Sequence, residues 1–174
     1  MGLNVRALCF LAQLCVWSLA YGAASDDLIK AAREGDAEGV RSALAAGAQV
    51  NAMNGDGMTA LMAASGAGKN EVVSLLIGKK ADINMKDASG RTAVMAAAEN
   101  GSLETVRVLL VGGAVVNAKD GDGVSALMRA VENGFIDTAE YLIKTGAQVN
   151  ARDNHGRTPL LIAAGAGHTD MVRL

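Results

Sequence analysis

A hydroxyl residue recurs at a fixed interval of 33 residues along this chain, at Thr59, Thr92, Ser125 and Thr158. A closely similar stretch follows each one. Three complete copies cover residues 59–91, 92–124 and 125–157, a partial copy covers 158–174, and a degenerate copy precedes them at 26–58. A period of this length predicts a stack of small supersecondary units. Such stacks typically bind partners through an extended surface.

Each copy carries the start and stop signals of two short helices. The recurring hydroxyl can cap the first helix, and Pro159 suits the first helical position because its missing N–H costs nothing there. A glycine nine residues after the cap can end that helix in the left-handed conformation. The glycines are Gly35, Gly68, Gly101, Gly134 and Gly167. An acid then suits the first turn of the second helix. The acids are Glu38, Glu71, Glu104, Asp137 and Asp170.

The segment after the second helix predicts a turn and a short hairpin. We expect an asparagine in each copy to bond backbone groups of its own loop. These are Asn51, Asn84, Asn117 and Asn150. An aspartate three residues before a glycine fits the hairpin tip. These are Asp87, Asp120 and Asp153. Lys80 takes the turn position that glycine holds in other copies, which predicts a left-handed residue strained by roughly 1–2 kcal/mol.

Taken together, the pattern T-x-L-x-x-A-x-x-x-G, an apolar helix and G-A-x-V-N-A-x-D-x-x-G resembles the ankyrin repeat over residues 26–174. The resemblance implies an all-α repeat solenoid, in which paired antiparallel helices carry short projecting β-hairpin loops. It places an ankyrin-repeat domain at 25–174. The family often has His after T-P-L, where this chain has Met62, Met95, Met128 and Leu161.

Residues 1–24 have the layout of a secretory signal peptide. Arg6 precedes an apolar run over 7–20, and small residues follow. Cleavage is expected after Gly22 or Ala24; a retained signal anchor and a buried first helix are the alternatives. The leader together with the missing family His resembles bacterial ankyrin proteins exported to the periplasm, and a eukaryotic secretory route competes. Both cysteines lie in this leader, so no disulfide is expected in the mature chain.

Sequence motifs for catalysis, metals and nucleic acids are weak. Residues 65–70 lack the Ser or Thr that a phosphate loop needs after its Lys. The acidic segments 54–57 and 120–123 lack the further ligands of a calcium loop. His155 and His168, the only histidines, make a poor metal site without thiolates. With a net charge of −2 and no basic stripe, nucleic-acid binding is not expected. We therefore expect neither an enzyme active site nor a cofactor.

These observations favour a non-catalytic protein–protein interaction module of unknown partner. By the family resemblance, contacts run through hairpin ends, hairpin tips and first helices, with arginines as anchors. The candidate residues are Met58, Arg91, Val124, Arg157, Asn154, His155, Arg129, Ile162, Glu99, Asn100, Glu132 and Asn133. Because Leu174 falls inside a second helix, the chain is expected to be a fragment, and an interaction domain of a longer enzyme is the alternative. Membrane association is expected only if the leader is retained.

Overall fold

The computed structural model describes residues 24–174, which form ten helices joined by turns and short loops. The predicted leader, apart from its last residue, lies outside the described residues. Residues 24–34 are helical and form α1. The other helices are α2 (Ala37–Ala45), α3 (Ala60–Gly66), α4 (Asn70–Gly78), α5 (Ala93–Glu99), α6 (Leu103–Val111), α7 (Ala126–Glu132), α8 (Ile136–Lys144), α9 (Pro159–Ala166) and α10 (Thr169–Arg173).

The helices stack in two rows, as the 33-residue period predicts. First helices α3, α5, α7 and α9 pack against one another in one row, and second helices α2, α4, α6 and α8 form the other. Each first helix also packs on the second helix of its own repeat. Isolated antiparallel bridges join Met53 to Thr59 and Lys119 to Ser125, and no longer strand forms within residues 24–174. The projecting loops are therefore hairpins held by single bridges and turns.

Small and aliphatic side chains fill the space between the two rows. Leu61, Val94 and Leu127 occupy the same position in three successive repeats, and all three are buried. Met95 and Met128, at the position where the family often has His, are fully buried as well. First helices of seven residues, rich in alanine, allow close stacking, which explains a continuous core in a chain with only 3% aromatic residues.

The helix caps follow the sequence prediction with one exception. The side-chain oxygens of Thr59, Ser125 and Thr158 each accept the N–H three residues on, at 3.3 Å. Thr92 has the extended backbone of a cap, with φ −108° and ψ 167°, yet its side chain makes no capping bond and its Oγ1 is buried without a partner. The cap prediction is thus wrong at Thr92. The five predicted helix-ending glycines all have positive φ, between 65° and 83°.

Three of the four loop asparagines, Asn51, Asn84 and Asn117, bond the next repeat, contrary to the prediction that each bonds its own loop. Asn84 Oδ1 accepts the N–H of Val115 at 2.9 Å, and Asn84 Nδ2 donates to the carbonyl oxygen of Gly113. Asn117 makes the same pair of bonds one repeat later, and Asn51 Oδ1 accepts the N–H of Asp82. The 33-residue spacing brings successive loops side by side, so an amide side chain reaches its neighbour's backbone.

Tip aspartates close the hairpins, as predicted. Oδ1 of Asp87 accepts the N–H groups two and four residues further on, at 2.9 and 2.8 Å, and Asp120 and Asp153 repeat this geometry. Asn54 closes the hairpin of the first repeat in the same way with its amide oxygen.

Lys80 has φ 66° and is the one non-glycine residue with positive φ among residues 24–174. Its predicted left-handed conformation is confirmed.

The last helix pair presents an apolar face that no described residue covers. Leu160 is 56% exposed, whereas Leu127, at the same position one repeat earlier, is 1% exposed. Leu161 and Val172 are likewise exposed, while their equivalents Met128 and Ala139 are fully buried. Burial at these positions therefore depends on a following helix pair.

Candidate partner-binding surface

The first helices and the hairpin loops share one side of the array, here called the inner face. Most predicted contact residues lie there with exposed or half-exposed side chains: Met58, Arg91, Glu99, Asn100, Arg129, Glu132, Asn133, Asn154, His155 and Arg157. Val124 and Ile162 differ, because they are only 6% and 7% exposed. These two side chains belong to the packed core and offer no open surface to a partner.

Charged residues of three repeats form a network of two neighbouring groups on the inner face. The Arg91 guanidinium pairs with the Glu99 carboxylate. Arg129 Nη2 lies 2.8 Å from Asp120 Oδ2, and Arg129 Nη1 lies 3.8 Å from Glu132 Oε2. The structure therefore brings together four predicted residues from three repeats, of which Arg129 and Glu132 share α7, and adds Asp120 to them.

Arg129 is the most enclosed of these arginines, with a side chain 21% exposed. Burial acts to lower its pKa, but the hydrogen bond and the charge of Asp120, followed by the charges of Glu99 and Glu132, raise its pKa above the ordinary arginine value. The guanidinium is thus held charged and fixed in orientation. Its Nε is buried without a hydrogen-bond partner, as is Nε of Arg91.

Asp120 and Asp153, which the sequence predicts only as hairpin-closing residues, also bond arginine side chains of the inner face. Asp153 closes its hairpin with Oδ1 and holds Arg157 with Oδ2, which lies 2.7 Å from Arg157 Nε. Burial acts to raise the pKa of Asp153, but the N–H groups of Arg157 and His155 and the Arg157 guanidinium lower it. The sequence offers one indication of this ion pair: Asp153 lies four residues before Arg157 in a predicted hairpin, which brings the two side chains close together.

A groove crosses α3 at the other end of the inner face. Arg33 and Met58 line one side of it, and Arg91 and Asn100 line the other. Sequence reasoning missed Arg33, because the degenerate first copy offers no recurring motif at that position. Arg33 Nη2 lies 3.3 Å from the sulfur of Met58.

The two histidines have different surroundings in the described part of the chain. No group of three or more His, Cys, Asp or Glu residues there could hold a metal ion. His155 lies exposed at a hairpin tip. His168 Nε2 lies 3.1 Å from the carbonyl oxygen of Glu132 and so donates a hydrogen bond that ties two repeats together. Within residues 24–174, no helix is both long and apolar enough to span a membrane.

Comparison with known protein families agrees with this geometry. The family model for ankyrin repeats, which contains three copies, matches residues 28–120 and 112–174. The chain belongs to the ankyrin-repeat family. A search of curated proteins finds no match to it. Ankyrin repeats generally mediate protein–protein interaction and are typically non-catalytic. The ankyrin inner face of this chain, with its ordered charged network, is therefore its candidate functional site.

Proposed function

We propose that this ankyrin array is a non-catalytic module that binds a protein partner through the inner face and hairpin tips. The observation that carries the proposal is the pre-organised arginine pair on this face. Asp120 holds Arg129 and Asp153 holds Arg157 in fixed orientations. A side chain that is already ordered loses less conformational entropy on binding, and arginine is a frequent interface anchor.

Arg157 is the stronger anchor of the two. Its side chain is 47% exposed and its Nε is engaged by Asp153, so its terminal nitrogens remain on the surface. Asn154 and His155 are exposed in the same loop. A planar guanidinium beside polar tip residues suits bidentate recognition of a carboxylate on the partner. Arg129, enclosed by three acids, contributes mainly by fixing the shape of the face.

We also propose that the protein is exported to the periplasm or secreted. Support comes from Arg6, the apolar run over residues 7–20 and the small residues before Ser25. Membrane attachment follows only if the leader is retained. When the chain is expressed with its leader, the intact mass of the exported protein should correspond to an N-terminus at Ala23 or Ser25. Recovery of full-length protein from the cytosol alone would contradict export.

A pull-down from the exported fraction, with the protein as bait, tests the interaction function. Once a partner is isolated, the double variant Arg157→Ala with His155→Ala should weaken binding by about 1 kcal/mol or more for each true anchor. The matched control is Glu140→Ala with Lys144→Ala, which removes an exposed ion pair of 3.3 Å from the second-helix row. Arg107 is a poorer control because its guanidinium stacks 4.4 Å from the centre of the Tyr141 ring.

The two double variants must both keep the wild-type circular dichroism spectrum. Loss of binding in the arginine–histidine variant alone supports the inner face. Loss of binding in the control variant alone means that the partner contacts the second-helix row, and the proposed surface is then wrong.

A further inference from the structure

The inner face has an open groove over α3, because that helix carries almost no side-chain bulk there. Its groove-lining residues are the half-buried Gly66 and Ala67 and the buried Ala63, all of them small. The equivalent residues on α1 are Lys30, Arg33 and Glu34, which are exposed and long. On α5 the corresponding residues include Glu99 and Asn100. The α3 surface therefore forms a floor between two higher walls.

Nothing within the fold requires a glycine at position 66. Its φ lies outside the left-handed region, in contrast to Gly68 at 65°. A Cβ at Gly66 would lie 3.6 Å from the Ala96 Cβ and 3.9 Å from Asn100 Nδ2, which are ordinary van der Waals contacts. Alanine would therefore fit without strain and would form a better helix. The effect of glycine at this position is to keep the floor of the groove open.

The arginines on the two sides of the groove differ in whether they form an ion pair. Arg91 is neutralised by Glu99. Arg33 is exposed, and within residues 24–174 no carboxylate lies at ion-pair distance from it. Its hydrogen bond goes to the sulfur of Met58, a weak acceptor. The exposed residues Lys30, Arg33 and Glu34 on α1 together carry one net positive charge, so the wall at Arg33 is positive overall.

We propose that this groove binds a short acidic segment of the protein partner. The segment's carboxylate pairs with the Arg33 guanidinium, and a neighbouring apolar side chain lies on the floor at Gly66 and Ala67, against the thioether of Met58. A carboxylate matches the planar fork of arginine, which can bond both oxygens at once. Methionine adapts its shape to an apolar guest. The inference rests on the proposed interaction function and adds the chemistry of the partner.

Selection from a random dodecapeptide phage library on the immobilised protein tests the groove. Selected peptides should be enriched in Asp or Glu beside a large apolar residue. Synthetic fluorescein-labelled copies should bind Arg33→Gln roughly tenfold more weakly than wild type, because hydrogen bonds to a charged partner are lost. Changing the peptide's acid to its amide should cost a similar factor on the wild type and much less on Arg33→Gln. Arg41→Gln, on the second helix of the same repeat, should bind like wild type.

Filling the groove provides an independent measurement. Gly66→Gln should also weaken peptide binding about tenfold or more by occupying the floor. Gly165→Gln is the matched control, because Gly165 holds the same repeat position in α9 and a Cβ there would meet no atom within 4 Å. All four variants should keep the wild-type circular dichroism spectrum; Arg33 is exposed, so its substitution does not endanger the fold.

The possible results separate this inference from the proposed function. Neutral or basic selected peptides, or acidic ones whose affinity Arg33→Gln and Gly66→Gln leave unchanged, overturn the groove assignment. If those peptides instead lose affinity for Arg157→Ala, the interaction function stands and only the groove inference fails. A protein that retains no peptide and no partner on any face overturns both.

Discussion

Asp120 and Arg129 are bonded across a repeat boundary, with 2.8 Å between Asp120 Oδ2 and Arg129 Nη2. The other carboxylate oxygen of Asp120 accepts the N–H groups of Asp122 and Val124. One buried carboxylate therefore closes a hairpin and fixes an inner-face arginine on α7. Because the same side chain serves both purposes, hairpin geometry and surface electrostatics are coupled at this point.

Replacing Asp120 by asparagine should separate the two roles. Asn54 shows that an amide oxygen can close this hairpin, so the turn should survive in Asp120→Asn. The charged bond to Arg129 is lost, which should lower the free energy of unfolding by about 1–3 kcal/mol. Asp87→Asn is the control, because Asp87 closes its hairpin without an ion pair to an arginine side chain. Urea titration measures both; equal losses in the two variants would contradict the role of the Arg129 bond.

The depressed pKa of Asp153 predicts an acid-sensitive contribution to stability. Because its folded pKa lies below the unfolded value of about 3.9, the unfolded state binds a proton more readily. The contribution is complete above the unfolded pKa and is lost as pH falls through the folded pKa. The stability advantage of wild type over Asp153→Asn should therefore be constant from neutral pH to about pH 5 and shrink as the pH falls below about 4. Urea midpoints measured across this range check it, and a gap that stays constant would contradict it.

Lys80→Gly should stabilise the protein. The left-handed conformation of Lys80 costs roughly 1 kcal/mol that glycine does not incur. We expect the melting temperature to rise by about 2–4 °C. The reverse variant Gly113→Lys, at the same turn position one repeat later with φ 99°, should lower it. An unchanged or lower melting temperature for Lys80→Gly would show that the lysine side chain makes a compensating contact.

Threonine-to-valine changes should have different effects at two equivalent caps. Thr59→Val loses a capping bond of 3.3 Å and should cost about 1 kcal/mol. Thr92→Val removes a buried hydroxyl that has no partner. It should change the free energy of unfolding by less than about 0.5 kcal/mol or increase it. Guanidinium titration of both variants tests the contrast, and a loss at Thr92 as large as at Thr59 would contradict it.

Leu127 and Leu160, at the same position in successive repeats, should contribute differently to the free energy of unfolding. Leu127→Ala opens a cavity in the core and should cost about 2–5 kcal/mol. Leu160→Ala removes a side chain that is more than half exposed and should cost less than about 1 kcal/mol. Thermal or chemical unfolding compares the two. Similar losses would show that the last apolar face is covered in solution.

The sequence by itself determined the repeat, the helix pairs, the glycine turns and the strained Lys80. These features depend on local chemistry, namely which residues cap a helix, adopt positive φ or close a hairpin. The same residue types recur every 33 residues, so each copy carries the same signals. The family assignment follows from the same pattern. The sequence also placed most candidate contact residues on one face, because their positions within the repeat fix their direction.

Only the tertiary structure decided which groups meet between repeats. The partners of the loop asparagines, the pairing of Arg129 with Asp120, the unpartnered hydroxyl of Thr92 and the burial of Val124 and Ile162 all depend on contacts that local pattern does not encode. Such contacts are set by the stacking distance and rotation between neighbouring units. A shift of about 1 Å decides whether a side chain makes a hydrogen bond or remains unpaired, because hydrogen bonds form only over a narrow range of distance and angle.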